Sequence, residues 1–477
     1  MNPTFSPRPT RRKAPELRLL PIALAAALVA GGALAQPVTN ALPVLNPGST
    51  PRNATIGAQT GTNAAPVMNI NQNAARGVIE WQSFDIGAAA RVNIVQPTAQ
   101  SVLVNRVINP SPSATSSQIY GTLSANGRVF LVNPAGITFG ATAQVAVGSL
   151  VASTLDLTPA MTANNYDALV NPATTTIPLA GNGSSVLQVQ NGAVITTDPA
   201  GGGSVVLVHN GGVGFYGRVD AVRGRVAMGV GVAADVVLPV TTSGFVDLVI
   251  AQPSPNTTFI DMGSNSVVNA EGGSVILGSR GAGSATSDDN ITLGGLINVG
   301  STTGTAGSVL AQVGDGSNAG IALMDGAVIA ARGTGAGQTG GSVTLQGRRV
   351  TVQERSLPSV ALPTLTGASI DVSGSAGGGT IDIGGATSRA AYVGSGNLLS
   401  ADALTSGNGG RITVTANYSS GNTTDPISRI DYGVTEVYGT LAARGGLQGG
   451  NGGRIETSGQ ALTTRLDQSG STLAGRI

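Results

Sequence analysis

The sequence predicts an all-β fold, a right-handed parallel β-helix (a solenoid) with a capping domain at its amino-terminal end. Three observations carry that expectation. Glycine accounts for 71 of 477 residues and aromatics for only 3%; the glycine share is about twice the ordinary one, without the Gly-X-Y period of collagen. Hydrophobic residues still reach 41%, too many for a disordered chain, and most are Val, Ile, Leu or Ala. A short phrase of two glycines followed by alternating small and β-branched residues keeps returning, while the 3.6-residue period of amphipathic helices is nearly absent.

From the amino terminus, the first element is a targeting segment at 1–35. Arg8, Arg11, Arg12, Lys13 and Arg18 precede an apolar run from Leu19 to Ala30, and Gly31-Gly32-Ala33-Leu34-Ala35 follows it. This order of basic, apolar and small residues predicts a secretory signal peptide cleaved between Ala35 and Gln36. The run is shorter than the ~20 apolar residues of a membrane span, and Pro21 interrupts it. Without this segment 20 basic and 23 acidic side chains remain, so the basic footprint of a nucleic-acid binder is missing and no nucleic-acid partner is expected. The absence of cysteine excludes disulfides, thiolate zinc sites and a Cys nucleophile.

The remaining chain divides into an amino-terminal domain at 36–240 and glycine-rich repeats at 241–477. The repeats set the fold. Gly202-Gly203-Ser204-Val205-Val206-Leu207 returns as Gly272-Gly273-Ser274-Val275-Ile276-Leu277, as Gly340-Gly341-Ser342-Val343-Thr344-Leu345, and as Gly409-Gly410-Arg411-Ile412 and Gly452-Gly453-Arg454-Ile455. The residue after the last glycine falls at 204, 274, 308, 342, 380, 411 and 454, in steps of 70, 34, 34, 38, 31 and 43; the first step matches two units. A second phrase, as in Gly326-Ala327-Val328-Ile329-Ala330 and Gly367-Ala368-Ser369-Ile370-Asp371, alternates with the first. Short strands at a repeating interval mean a solenoid or a propeller, and so few aromatics cannot anchor propeller blades. Stacked coils of roughly 20 to 30 residues would give about 15 to 20 coils and a rod on the order of 70 to 100 Å.

Within residues 55–157 the phrases are Ile70-Asn71-Gln72, Arg76-Gly77-Val78-Ile79-Glu80-Trp81, Val92-Asn93-Ile94-Val95-Gln96-Pro97, Leu103-Val104-Asn105-Arg106-Val107, Asn126-Gly127-Arg128-Val129-Phe130-Leu131-Val132-Asn133-Pro134-Ala135-Gly136 and Leu150-Val151-Ala152-Ser153. In this order they closely resemble the amino-terminal secretion domain of filamentous haemagglutinin-like exoproteins, the passengers of two-partner secretion in Gram-negative bacteria. The resemblance implies export by the general secretory route, then passage through a dedicated outer-membrane transporter, an Omp85-type β-barrel, with folding outside the cell. It also implies a secretion-motif role for Asn105, Arg106, Asn133, Pro134 and Gly136. The family's Asn-Pro-Asn-Gly turn is Asn133-Pro134-Ala135-Gly136 here, and Asn109-Pro110-Ser111-Pro112 matches its other turn only loosely. Read as residues alone, both are turn formers that shape a corner.

Candidate chemistry is sparse, and no catalytic residue, metal site or cofactor is expected. His209, the one histidine, precedes a glycine turn and reads as a corner or surface residue. Asp288-Asp289-Asn290 could offer oxygen ligands to calcium, but such a loop is ordinarily just solvated. A polysaccharide-degrading β-helix would need acidic residues clustered on neighbouring coils, and no such cluster stands out. The expected function is that of a secreted adhesin or haemagglutinin acting on a host-cell or bacterial surface receptor. The alternatives are the stalk of a contact-dependent toxin-delivery exoprotein, a β-helix polysaccharide-degrading enzyme and a haem-carrier binder. The chain end at Ile477 follows a repeat without a polar cap, which reads as a partial product.

Overall fold

The computed structural model describes residues 36–108, 115–181, 185–198, 202–239, 244–279, 289–314, 319–353, 367–418 and 433–464, all within one compact unit, Gln36–Ile477. The expected signal peptide, the Asn109-to-Pro112 turn, Asp288 and the last residues lie outside the described set.

Each coil between the first and the last described gives one strand to each of three sheets. In one coil Arg128–Val132 belongs to the first sheet, Ile137–Phe139 to the second and Gln144–Val147 to the third, after which Ser149–Ser153 begins the next coil beside Arg128–Val132. The sheets hold 13, 11 and 14 strands. All pairing between successive coils is parallel, as the repeats predict. Ser204, Arg225, Ser274, Ser308, Ser342, Thr380, Arg411 and Arg454 are successive Cα partners, so each recurrence of the first phrase is one coil. The second phrase stacks likewise, Val328 on Ser369, then Leu398 and Thr440.

The step of 70 does hold two coils, but unequal ones. The coil that starts at Arg225 carries an excursion containing Ala233–Val237 and Asp247–Gln252, which lengthens it. Excursions and glycine-rich corners consume residues that the even-coil estimate had assigned to strands. One of the 13 first-sheet strands, Val44–Leu45, is antiparallel, so 12 coils are present among the described residues, not 15 to 20. At the spacing of paired strands they rise about 55 Å.

Inside, β-branched and Leu side chains stack in columns. Val205, Val226, Val275, Val309, Val343 and Ile381 follow one another on successive coils, each at most 1% exposed. The early coils also enclose rings: Trp81, Phe84, Phe139 and Phe215 are buried. At the corner from third to first sheet, glycines stack. A Cβ placed on Gly203, Gly224, Gly273, Gly307, Gly341, Gly379, Gly410 or Gly453 would sit under 3.0 Å from the carbonyl oxygen of the glycine in the preceding coil. Those carbonyls are occupied: from Gly203 to Gly410 each accepts the N–H of the residue that follows the next coil's glycine, at 2.9–3.2 Å. Glycine is required here for clearance and not for positive φ.

Two additions complete the amino-terminal coils. Val44–Leu45, Ala54–Ile56 and Thr60–Thr62 pair antiparallel with the strands at 76–83 and 65–72, which closes sheet edges that would otherwise be open to further pairing. The second addition covers the outer face of the first sheet. Asp156–Leu157, Thr176–Ala180, Ala233–Val237 and Asp247–Gln252 form a four-stranded antiparallel sheet, joined by the helical segment Pro159–Val170. Leu155, Leu157, Met161, Leu169, Ile177, Leu179 and Val236 of this cover pack on Val104, Phe130, Val151, Val206 and Val208. Each such side chain, once buried, contributes about 1.5–3 kcal/mol. Strands under the cover are therefore buried on both faces, as at Arg128–Val132 and Ser204–His209, whereas the uncovered Ser274–Ser279 alternates.

The two kinds of glycine make a testable pair. Gly307→Ala, which drives a methyl into backbone, should cost about 3 kcal/mol or more. Gly326 has φ +77° with nothing within 4 Å of an added Cβ, so Gly326→Ala should cost only about 1–2 kcal/mol. Urea-unfolding midpoints of the two variants check the order; equal losses would show that clearance is not the constraint.

Candidate functional site

The secretion-motif residues gather where the cover meets the coils. Along Val102–Val107 side chains alternate, so Asn105 points inward and Arg106 outward. Asn105 is fully buried. Its Oδ1 accepts the indole N–H of Trp81 at 3.1 Å and its Nδ2 donates to the Phe130 carbonyl at 3.3 Å, joining three successive coils. Trp81, the sole tryptophan, packs edge-on to Phe84 with centroids 5.4 Å apart.

Arg106 fastens the cover. Its Nε and Nη2 donate to the two carboxylate oxygens of Asp156, each at 2.7 Å, and its Nη1 donates to the Tyr166 hydroxyl at 2.9 Å. Glu80, the Cα partner of Arg106 on the neighbouring coil, accepts from the Tyr166 hydroxyl and, at 2.5 Å, from Ser49 Oγ. Burial acts to lower the Arg106 pKa, but the Asp156 bonds and charge, with Tyr166, carry it above the ordinary arginine value. Burial and the bond to Glu80 push the Tyr166 phenol up to about 12. Holding Tyr166 there requires an unusual backbone, since Asn164, Asn165 and Tyr166 are all left-handed, with φ of 50°, 56° and 67°. Arg52 pairs with Asp167 at 2.6 Å on the far side of that turn. A polar cavity of about 300 Å³ lies between, lined by Ser49, Arg52, Glu80, Asn165 and Tyr166 among others.

Asn133, Pro134 and Gly136 form the corner from first to second sheet one coil on. Asn133 is fully buried; its Oδ1 accepts the Ala135 N–H at 2.9 Å, an Asx turn, and its Nδ2 donates to the Thr115 carbonyl and Ser117 Oγ at 3.1 and 3.0 Å. Pro134 is half-buried, and Gly136 takes φ +123°. Asn105, Arg106 and this corner thus share one end of the first sheet, since Val132 is the Cα partner of Arg106. Residues outside the expected motif complete the arrangement: Glu80, Asp156 and Tyr166.

His209 closes the same corner two coils further on, and it is buried. Its Nδ1 accepts the backbone N–H groups of Gly211 and Gly212 at 2.5 and 2.7 Å, so Nε2 carries the proton and donates to the Ser185 carbonyl at 2.8 Å. Burial lowers its pKa to about 4, partly offset by Ser185. Both ring nitrogens are occupied. Asp289 is buried and accepts from Thr258 Oγ1 at 2.7 Å. Among the described residues no three His, Cys, Asp or Glu side chains come together as a metal site.

Parallel coils, a clearance-limited glycine corner and a covering sheet pinned over the first coils define a class: a parallel β-helix with a capped amino-terminal module. The family follows from comparison. Residues 44–287 match the TPS secretion domain, just over half of the chain, and the chain belongs to this family of two-partner secretion passengers. It is similar to the heme/hemopexin-binding protein of Haemophilus influenzae, 42% identical over 93 residues, 20% of this chain and 10% of that protein. The protein of the same name from strain KW20 is 43% identical over 90 residues, covering 19% and 10%. Each alignment thus spans a tenth of the curated relative. Among solved structures, the HMW1 secretion domain from Haemophilus influenzae superposes with TM-score 0.54 at 18% identity, covering 87% of this chain and 96% of that one; at that identity the likeness is one of fold.

Two outcomes are expected. Arg106→Gln leaves the Asp156 carboxylate without its charged partner and should cost about 2–4 kcal/mol, with proteolysis opening 154–180 before the coils; uniform cleavage would mean that the cover is not held by this network. His209 has a folded pKa below its unfolded value near 6.5, so its contribution is complete above pH 6.5 and is lost as pH falls toward 4, by roughly 2–3 kcal/mol. His209→Asn should remove that part of the acid sensitivity in urea titrations at pH 7.5 and 4.5, and an unchanged slope would contradict the assignment.

Proposed function

We propose that this chain belongs to a secreted exoprotein that acts at the cell surface as an adhesin or haemagglutinin. Its domain over 36–240 is recognised by an Omp85-type outer-membrane transporter after a signal peptide, cut between Ala35 and Gln36, has directed it across the inner membrane. The glycine-rich coils of 241–477 then serve as a stalk or binding surface. The observation that carries this reading is the secretion-domain match over 44–287, and the capped first coils are consistent with it.

In this reading Asn105, Arg106, Asn133, Pro134 and Gly136 serve both secretion and folding. Asn105 and Asn133 are enclosed once the coils have formed, so a transporter reads them in the extended chain, and their bonds then fix the corner outside the cell. An enzymatic role has less support. Asp156, Asp220, Asp382 and Asp402 are engaged by arginines, which leaves these carboxylates as coil and cover fastenings. Binding of a haem carrier is a second reading, favoured by the names of the relatives, but His209, with both ring nitrogens engaged, would not serve it as an iron ligand.

The test is the amount of protein in culture supernatant with and without the transporter, for wild type and for Asn133→Ile. Supernatant protein should fall at least tenfold when the transporter is deleted and also in the variant. Wild type reaching the medium regardless of the transporter would overturn the export assignment.

A further inference from the structure

Four residues stand in line on the outer face of the first sheet, where its strands begin. Arg76, Val102, Arg128 and Ser149 are Cα partners on successive coils, and they share a face with Phe130 and Val132, which the cover encloses. Arg128 is 7% exposed. No acceptor among the described residues pairs with its guanidinium, and burial alone acts on its pKa, lowering it. Arg76 is only partly engaged. Its Nη2 donates to the Thr174 carbonyl, at the rim of the cover, at 2.6 Å, while its Nη1 is buried without a partner. Burial and then the charge of Arg128 lower the Arg76 pKa, so the two cations act on each other across Val102. Their Cα atoms are about 10 Å apart at the spacing of paired strands, a gap that two arginine side chains can close on a single ion.

The carboxylates of the cover do not neutralise this pair. Asp156 is held by Arg106, Asp167 by Arg52 and Asp247 by Arg225, and Asp235 alternates with the core residues Ala234 and Val236, which turns it away from the coils. The three arginines that fasten the cover thus each have an acid, and Arg76 and Arg128 do not. A buried charge without a counter-charge is costly, and packing alone would be served by an apolar residue, as it is at Val102 between them. One more donor stands beside Arg128: Ser149 Oγ accepts the Ser204 N–H at 2.9 Å, and its own proton has no acceptor among the described residues. Guanidinium forks and a hydroxyl, with no opposing carboxylate, match the oxygens of an oxyanion, and two positive charges match a dianion.

We infer that Arg76 and Arg128, with the Ser149 hydroxyl beside them, form a binding site for a tetrahedral oxyanion of the phosphate or sulfate class at the rim of the cover. Because Arg76 also holds the Thr174 carbonyl, the bound anion ties the cover to the coils of both arginines. The site goes beyond the adhesin reading and depends on neither a receptor nor the transporter, so its failure and the failure of that reading are separate results.

The experiment is calorimetric titration of the purified chain, in chloride buffer, with inorganic phosphate, inorganic sulfate and glycerol 3-phosphate. Saturable binding of phosphate or sulfate with a Kd of about 1 mM or tighter is expected; glycerol 3-phosphate binding equally well points to a phosphate group carried on a larger molecule, and its exclusion to a free ion. Arg128→Gln should weaken binding by about tenfold or more, whereas Arg411→Gln, which removes an arginine already paired with Asp382, should leave it unchanged. Phosphate also stabilises proteins in general by exclusion from their surface, so urea midpoints are compared at matched ionic strength: phosphate should raise the midpoint of wild type more than that of Arg128→Leu. Should the Arg128 variants fail to fold by circular dichroism, Arg76→Gln decides by the same loss of affinity. Absence of saturable binding by wild type, undiminished binding in Arg128→Gln, or an equal gain from phosphate in wild type and Arg128→Leu would overturn the proposal.

Discussion

The stacking of one backbone on the next at the glycine corner is the constraint on which the rest of the fold depends. Where the third sheet turns into the first, the N–H that follows each glycine reaches the carbonyl of the glycine one coil earlier. The two glycines come so close that no side chain fits between them. This contact sets the register of the first sheet, because Ser274, Ser308, Ser342 and Thr380 are the residues that donate those bonds. Register in turn decides which residues face inward, since a slip of one would carry Val275, Val309 and Val343 to the surface.

Because that corner is fixed, variation leaves the coil elsewhere. The cover's strands and helical segment depart between Ser149–Ser153 and Leu187–Val189, and again between Arg225–Val230 and Phe259–Met262, both at the corner from first to second sheet. Asn133, His209 and Tyr418 occupy the same corner on other coils. There the backbone is not held glycine to glycine, and side chains instead satisfy the turning backbone: Asn133 Oδ1 takes the Ala135 N–H and His209 Nδ1 takes those of Gly211 and Gly212. One corner preserves the stack while the other admits insertions.

That division explains what could be read in the sequence. The column at Ser204, Ser274, Ser308, Ser342, Thr380, Arg411 and Arg454 was legible because the glycine before each leaves a fixed mark. Arg225, on the coil between the first two, was hidden because its strand continues as an unbroken buried run, Val226 to Val230, without the alternation that marks Ser308–Val313. The cover left its own mark, unread: Phe130-Leu131-Val132 and Val205-Val206-Leu207-Val208 are continuously apolar, as strands buried on both faces are, unlike the alternation of Ser342–Gln346. Asn105, Arg106 and Asn133 were legible only through family resemblance. Their partners Glu80 and Tyr166 lie 86 residues apart, and only the coil register and the left-handed turn bring them together.

The choice of cation belongs to the same logic. Lys13 is the sole lysine, so past the amino-terminal segment every fixed positive side chain is an arginine. A planar fork can hold two oxygens at once, whereas an ammonium is a point charge on a flexible stem. Arg106 grips both oxygens of Asp156 across the boundary between coil and cover. Arg411 spans two coils to both oxygens of Asp382, and Arg444 takes Asp402 through two nitrogens. Exposed ion pairs of this kind add little stability singly, but a two-point contact between adjacent coils resists rotation of one against the next. A solenoid needs that resistance, because every coil touches only its neighbours and an error of register in one is passed to all that follow.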